Sequence, residues 1–214
     1  MSTKSDKFTW QLFTIVVLIH VAAYVIFVNQ SWLQTTITKE REAHYEVLGE
    51  KRAEFAEIRA TNLFNVWFVN SGVMARSFEI FIPKADPSAP PESSNSTSAM
   101  VFRWMEERIR ALWTLVYQVM LRFSNASLWW PFLVLAISPF VVDALAARRI
   151  KAHTFGITSP HLQGVATRLI PLLILGYFLL MFAPIVIHPL WVPVLIVVTS
   201  AATWLGVTQF VKRG

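Results

Sequence analysis

Two side chains in the apolar parts of this sequence could carry a proton, Asp143 and His20. Asp143 stands about four residues from the inner end of an apolar run, roughly 6 Å in at helical rise. A carboxylate there is a functional candidate by default, because an unpaired charge in hydrocarbon is expensive. With His20 it could serve a small proton-coupled transporter or a membrane enzyme. A proton pathway generally strings together several ionisable groups, however, and the apolar runs supply no third. Intramembrane aspartyl proteolysis would need a second acid. The five histidines, at 20, 44, 153, 161 and 188, lack metal-site spacing, and no His-Glu-x-x-His occurs. There is no Walker A loop and no glycine-rich dinucleotide fingerprint. The absence of cysteine excludes disulfides, thiolate nucleophiles and Cys-ligated metals. No catalytic residue, cofactor or metal is expected.

The other reading of Asp143 is positional. Arg148 and Arg149 lie at i+5 and i+6, off the favourable i+3 and i+4 spacing. A partner on the following loop or another helix, such as Arg168 or backbone N–H groups, suits it better. Arg148, Arg149 and Lys151 attract anionic lipid, at about 1 kcal/mol per basic residue near the surface. "HTFGITSPHLQG" follows them, with Phe155 and Gly156 at a turn. Ser159 and Pro160 suit the N-cap and N1 positions of a new helix. The stretch to Arg168 therefore reads as a capped basic loop able to dock a partner or lipid.

The elements that position these residues follow from composition. The chain has 214 residues, 55% hydrophobic and 15% charged, with a mean hydropathy of +0.49. Soluble domains are nearer a quarter charged. Four apolar runs stand out: 8–28, 128–147, 169–187 and 190–211. The expected fold is all-α, a polytopic membrane protein with four transmembrane helices. Residues 1–28 form the N-terminus and first helix. A helical extracytoplasmic segment, 29–127, separates the first helix from the second. Residues 128–214 hold three helices and the basic loop 148–168.

Within 29–127, Lys39–Arg59 is charged and helix-prone, with Leu48, Phe55 and Ile58 as a thin stripe. Asn62–Ile82 is aromatic-rich but holds Asn65, Asn70, Arg76 and Glu79, so it reads as an interfacial or packed helix. Residues 83–98 are Pro- and Ser-rich and read as a linker. Met100–Phe123 is amphipathic: Met105, Ile109, Leu112, Val116, Val119 and Phe123 share the expected packing face. Arg103, Glu107, Arg110, Thr114 and Arg122 share another.

Charge sets the orientation. Eight basic residues and one acid lie in the short segments placed inside, whereas 29–127 carries eleven of each sign. By the positive-inside rule both termini are cytoplasmic, in a membrane crossed several times. The excess is not gathered on one face as nucleic-acid binding requires, so no direct sequence-specific nucleic-acid binding is expected.

"VVDALAARRIKAHTFGITSP", "ATRLIPLLILG", "IVIHP" and the terminal "QFVKRG" together resemble the inner-membrane protein family of integrating conjugative elements and conjugative plasmids. The matching positions are Asp143, Leu145, Arg148, Arg149, Phe155, Gly156, Ser159, Pro160, His188 and Pro189, with Ala144 where that family suggests glycine. The resemblance covers residues 128–214, and over 1–127 only the arrangement. It implies a non-enzymatic scaffold of conjugative DNA transfer, related to type IV secretion. The implied partners are other conjugation membrane proteins, above all the coupling-protein ATPase, with membrane lipids around them. A homo-oligomer is compatible with it.

Overall fold

The computed structural model describes residues 28–82, 97–153 and 160–209, with parts of 11–24. Every regular element among them is helical. We label them α1 (Gln30–Leu48), α2 (Glu50–Phe64), α3 (Val73–Phe81), α4 (Thr97–Ser127), α5 (Trp130–His153), α6 (Pro160–Phe182) and α7 (Trp191–Gln209), with a π-helical turn at Asn65–Val69. The expected linker lies outside the described residues except for Thr97 and Ser98, which open α4.

Two compact units emerge. The first holds residues 1–124 with the short segment Phe182–Val186, and the second holds 125–181 and 187–214.

In the first unit, Asn29 caps α1, its Oδ1 accepting from Ser31 N at 3.4 Å. The charged run expected as one helix breaks at Gly49, where φ is 78° and ψ is 158°. That backbone region is essentially glycine-only. The break reverses the chain: Arg41 pairs with Glu57, and Tyr45 bonds the same carboxylate. A Cβ at Gly49 would meet nothing within 4 Å, so backbone strain alone sets the cost of substitution. Gly49→Ala should destabilise the unit by about 1–3 kcal/mol, read as a lower melting temperature in detergent.

The inward face of α2 is also not the expected one. Ala53, Ala56 and Ala60 are buried, while Phe55 and Ile58 are more than half exposed. Small residues let helix axes approach closely. Ala60 meets Ile37 and Leu121 in one apolar cluster; Val28, Leu33, Ala111 and Leu115 form another. Arg108 ties α4 to the start of α1, donating to the Val28 carbonyl at 2.8 Å while lying over the Trp104 ring.

The aromatic segment after α2 packs on α4. Phe64 and Phe68 meet the Trp113 ring, and Phe64 also meets Tyr117 edge-on at 5.7 Å. Trp113 Nε1 donates to Ser77 Oγ at 2.9 Å, so α3 is held as well. The π turn falls within this aromatic contact, one place where helices relax their spacing.

In the second unit, α5 and α7 make the main packing contact. Ala144 of α5 and Ser200 of α7 are fully buried, and Ile196 of α7 is nearly so. Tyr177 of α6 shares a 2.9 Å hydrogen bond with Thr199 of α7. Among the described residues, two helical stretches are long and apolar enough to cross a membrane, Trp130–Lys151 and Trp191–Thr208. Thr14–Tyr24 and Pro171–Phe182, within the first and third expected crossings, are shorter apolar helical stretches. Arg148, Arg149 and Lys151 lie on the final turns of α5 rather than in a loop. Pro160 is the first residue of α6, which continues through residue 168.

Candidate functional site

Two arrangements stand out. The first is a buried ion pair that sequence reasoning missed. Glu40 of α1 is wholly buried, and Arg122 of α4 is 5% exposed. Arg122 grips both carboxylate oxygens: Nη2 to Oε1 at 2.6 Å and Nε to Oε2 at 3.2 Å. Bidentate geometry of this kind gives the strongest charge-assisted bonds. Gln118, one turn earlier and also fully buried, donates to Oε2 at 3.3 Å. Arg122 Nη2 donates further to the Ile185 carbonyl at 2.7 Å, so the same guanidinium holds the segment Phe182–Val186. His44 Nδ1 lies against the Glu40 carbonyl.

This pair explains why the packing seam of α4 differs from expectation. Buried positions run Ala111, Leu115, Gln118, Arg122 and Asn125. That is the seam predicted at Met105, Ile109, Leu112, Val116, Val119 and Phe123, rotated by one residue, or about 100°. Leu112 is 46% and Phe123 53% exposed, and the other four are half-buried. Arg122, assigned to the solvated face, is inside. A charge can occupy the seam because Glu40 meets it there; an unpaired one could not. No local signal marks the pair, whose members lie 82 residues apart. On the exposed side of α4, Glu106 and Arg110, four residues apart, pair at 2.6 Å.

The second arrangement surrounds Asp143. Its Oδ2 accepts from Trp204 Nε1 of α7 at 2.7 Å, a partner on a helix 61 residues away rather than on the loop. The carboxylate is exposed on the isolated chain. Arg148 and Arg149 are exposed beyond it, and Lys151 is half-buried. Phe155, Gly156 and Ser159 lie outside the described residues. Pro160 and Arg168 are placed in α6 by their backbone alone. His20 belongs to the first unit, where its ring meets Tyr24 edge-on at 4.6 Å. Among the described residues, no three His, Asp or Glu side chains gather as a metal site would require.

The family described as IncC plasmid conjugative DNA transfer protein DtrJ-like matches residues 26–211. The chain belongs to this DtrJ-like family. Membership covers both units, including Glu40, Arg122, Asp143 and Trp204. The conjugative character expected from the second half of the sequence is thereby established for nearly the whole chain. No curated protein and no solved structure matches it.

Proposed function

We propose that the chain is a non-enzymatic inner-membrane component of a conjugative transfer apparatus, related to type IV secretion, which docks the coupling-protein ATPase. Four crossings, at 8–28, 128–147, 169–187 and 190–211, place both termini and residues 148–168 in the cytoplasm and 29–127 outside. Other conjugation membrane proteins and anionic lipid surround it. The observation that carries this reading is the basic end of α5. Arg148 and Arg149 project, exposed, from the end of a membrane-length helix in a conjugative-transfer family member. Basic side chains so placed meet lipid phosphates or an acidic protein face at the membrane surface. By their positions in the sequence, Lys151, Phe155, Gly156, Ser159, Pro160 and Arg168 are assigned to the same docking role.

Asp143 supports docking by position rather than by proton transfer. Its Trp204 bond ties the basic end of α5 to α7. His20, against Tyr24, reads in the same way as a packing group.

The combined substitution Arg148→Glu, Arg149→Glu and Lys151→Glu tests the proposal. Like-charge juxtaposition at an interface costs several kcal/mol, on the order of 100-fold or more in affinity. Co-purification of the ATPase and plasmid transfer frequency should both fall steeply while membrane insertion persists. Unchanged transfer by an inserted variant would remove the docking role.

A further inference from the structure

We propose that Trp32, Trp67 and Trp104 form an aromatic belt that seats the first unit on the lipid surface where the first apolar run emerges. The inference rests on reading residues 8–28 as a membrane crossing. The three rings come from three elements, α1, the π turn and α4, and are 53%, 54% and 47% exposed. Contacts bring all three to the end of the unit marked by Val28. Trp32 follows Val28 by four residues, at most about 6 Å at helical rise. Arg108 links Trp104 to the same point. Its guanidinium donates to the Val28 carbonyl at 2.8 Å and lies 5.5 Å from the centre of the Trp104 ring. Trp67 meets Phe68, which packs on Trp113 at 5.4 Å. Ala111 and Leu115, which flank Trp113 in α4, share a cluster with Val28. Val66 and Val69, beside Trp67 in the sequence, are exposed as well, and so are Val101 and Phe102 before Trp104.

Depth and polarity name the occupant. The headgroup layer on each side of a bilayer is roughly 5–8 Å deep, so a crossing that ends at Val28 leaves Trp32 within it. Trp favours that layer because its ring is apolar and its N–H is polar. The opposite end of the unit differs in kind. Gly49 lies up to about 30 Å beyond Val28 along α1. From Lys39 to Glu54 there is no Trp, and Glu42, Glu46, Glu50, Lys51 and Arg52 are exposed. Lipid is already the neighbour at the belt end. Ile15, Leu18 and Ile19 of the first run belong to the same unit and are 55%, 62% and 64% exposed. The lipid that covers them continues onto the belt, whereas a second copy or another protein would first have to displace it. The chain's own linker has no hydrophobic cover to offer, since residues 83–96 carry no apolar side chain larger than proline.

The test uses the full chain in vesicles of phosphatidylethanolamine and phosphatidylglycerol. The sequence has no cysteine, so a single introduced one carries a fluorophore to a chosen site. Val66→Cys and Val101→Cys report the belt, Lys51→Cys the far end and Leu18→Cys the centre of the first run. Lipids brominated on the upper part of their acyl chains should quench the probes at 66 and 101 and leave the probe at 51 bright. Adding Trp32→Glu, Trp67→Glu and Trp104→Glu together should remove most of the quenching at 66 and 101. The proposal is overturned if those two probes stay as bright as the one at 51, if all three are quenched alike, or if the triple variant changes nothing. Self-quenching at 66 and 101 in place of lipid quenching would give the face to a second copy and also overturn it. The probe at 18, read with lipids brominated at the chain end, isolates the underlying reading. Quenching at 18 with none at 66 and 101 removes the belt alone, and no quenching at 18 removes the crossing and the belt with it.

Discussion

Glu40→Leu alone should destabilise the first unit by about 3–5 kcal/mol, the usual penalty for leaving one member of a buried ion pair unmatched. The Arg122 guanidinium would stay sealed in the α4 seam with its carboxylate partner gone, and Gln118 would lose its acceptor. Arg122→Leu should cost a similar amount, because the buried carboxylate would then lose its cation. The double variant Glu40→Leu/Arg122→Leu should be markedly more stable than either single one, since apolar groups of similar volume often replace a buried pair at little cost. Thermal melts of the four proteins in detergent give the cycle directly. If the double variant is as unstable as the sum of the singles, the pair does not act as a unit. The double variant would still lack the donor to the Ile185 carbonyl, so a smaller residual loss of about 0.5–1.5 kcal/mol is expected from that bond.

Ala144→Leu should separate α5 from α7. Ala144 is fully buried at the principal helix contact of the second unit, with Ser200 fully buried on the opposite helix. Three added carbons have no room there, and overpacking of a tight core costs about 1–3 kcal/mol. Displacement of α7 would also stretch the 2.7 Å bond from Trp204 to Asp143. The expected readout is lower thermal stability together with faster limited proteolysis of the second unit. Ala144→Gly, which adds no volume at the contact, should leave it intact. An Ala144→Leu protein with wild-type stability would show that the α5–α7 contact is looser than the burial implies.

Much of the architecture could be read from the residues. The apolar runs containing α5 and α7 declare themselves by length and lack of charge, and Pro160 opens α6 as its fixed φ suggests. The aromatic segment after Asn62 lies against α4. What resisted reading was facing. Hydrophobic periodicity shows which side chains avoid water, but lipid or a partner can satisfy Leu112, Phe123, Phe55 and Ile58 as well as a core can. Close helix contact then favours small residues, so Ala53, Ala56, Ala60 and Ala144 take the interior. Arg122 escaped notice because its partner is 82 residues distant, and Trp204 because an indole in an apolar run looks like one more lipid-facing ring. The break at Gly49 carried one signal, a lone glycine in a charged helix-prone run.

The hold of Arg122 on the Ile185 carbonyl also has a consequence for biosynthesis. The first unit is nearly all encoded in the first 124 residues, yet it takes in Phe182–Val186. Domains ordinarily fold as they are made, N-terminal part first. Here the Glu40–Arg122 pair can form early, but its hydrogen-bond set stays open until residue 185 has been synthesised. The N-terminal half therefore reaches its final state only after residue 185 has been made, and a chain truncated before Ile185 is released unfinished.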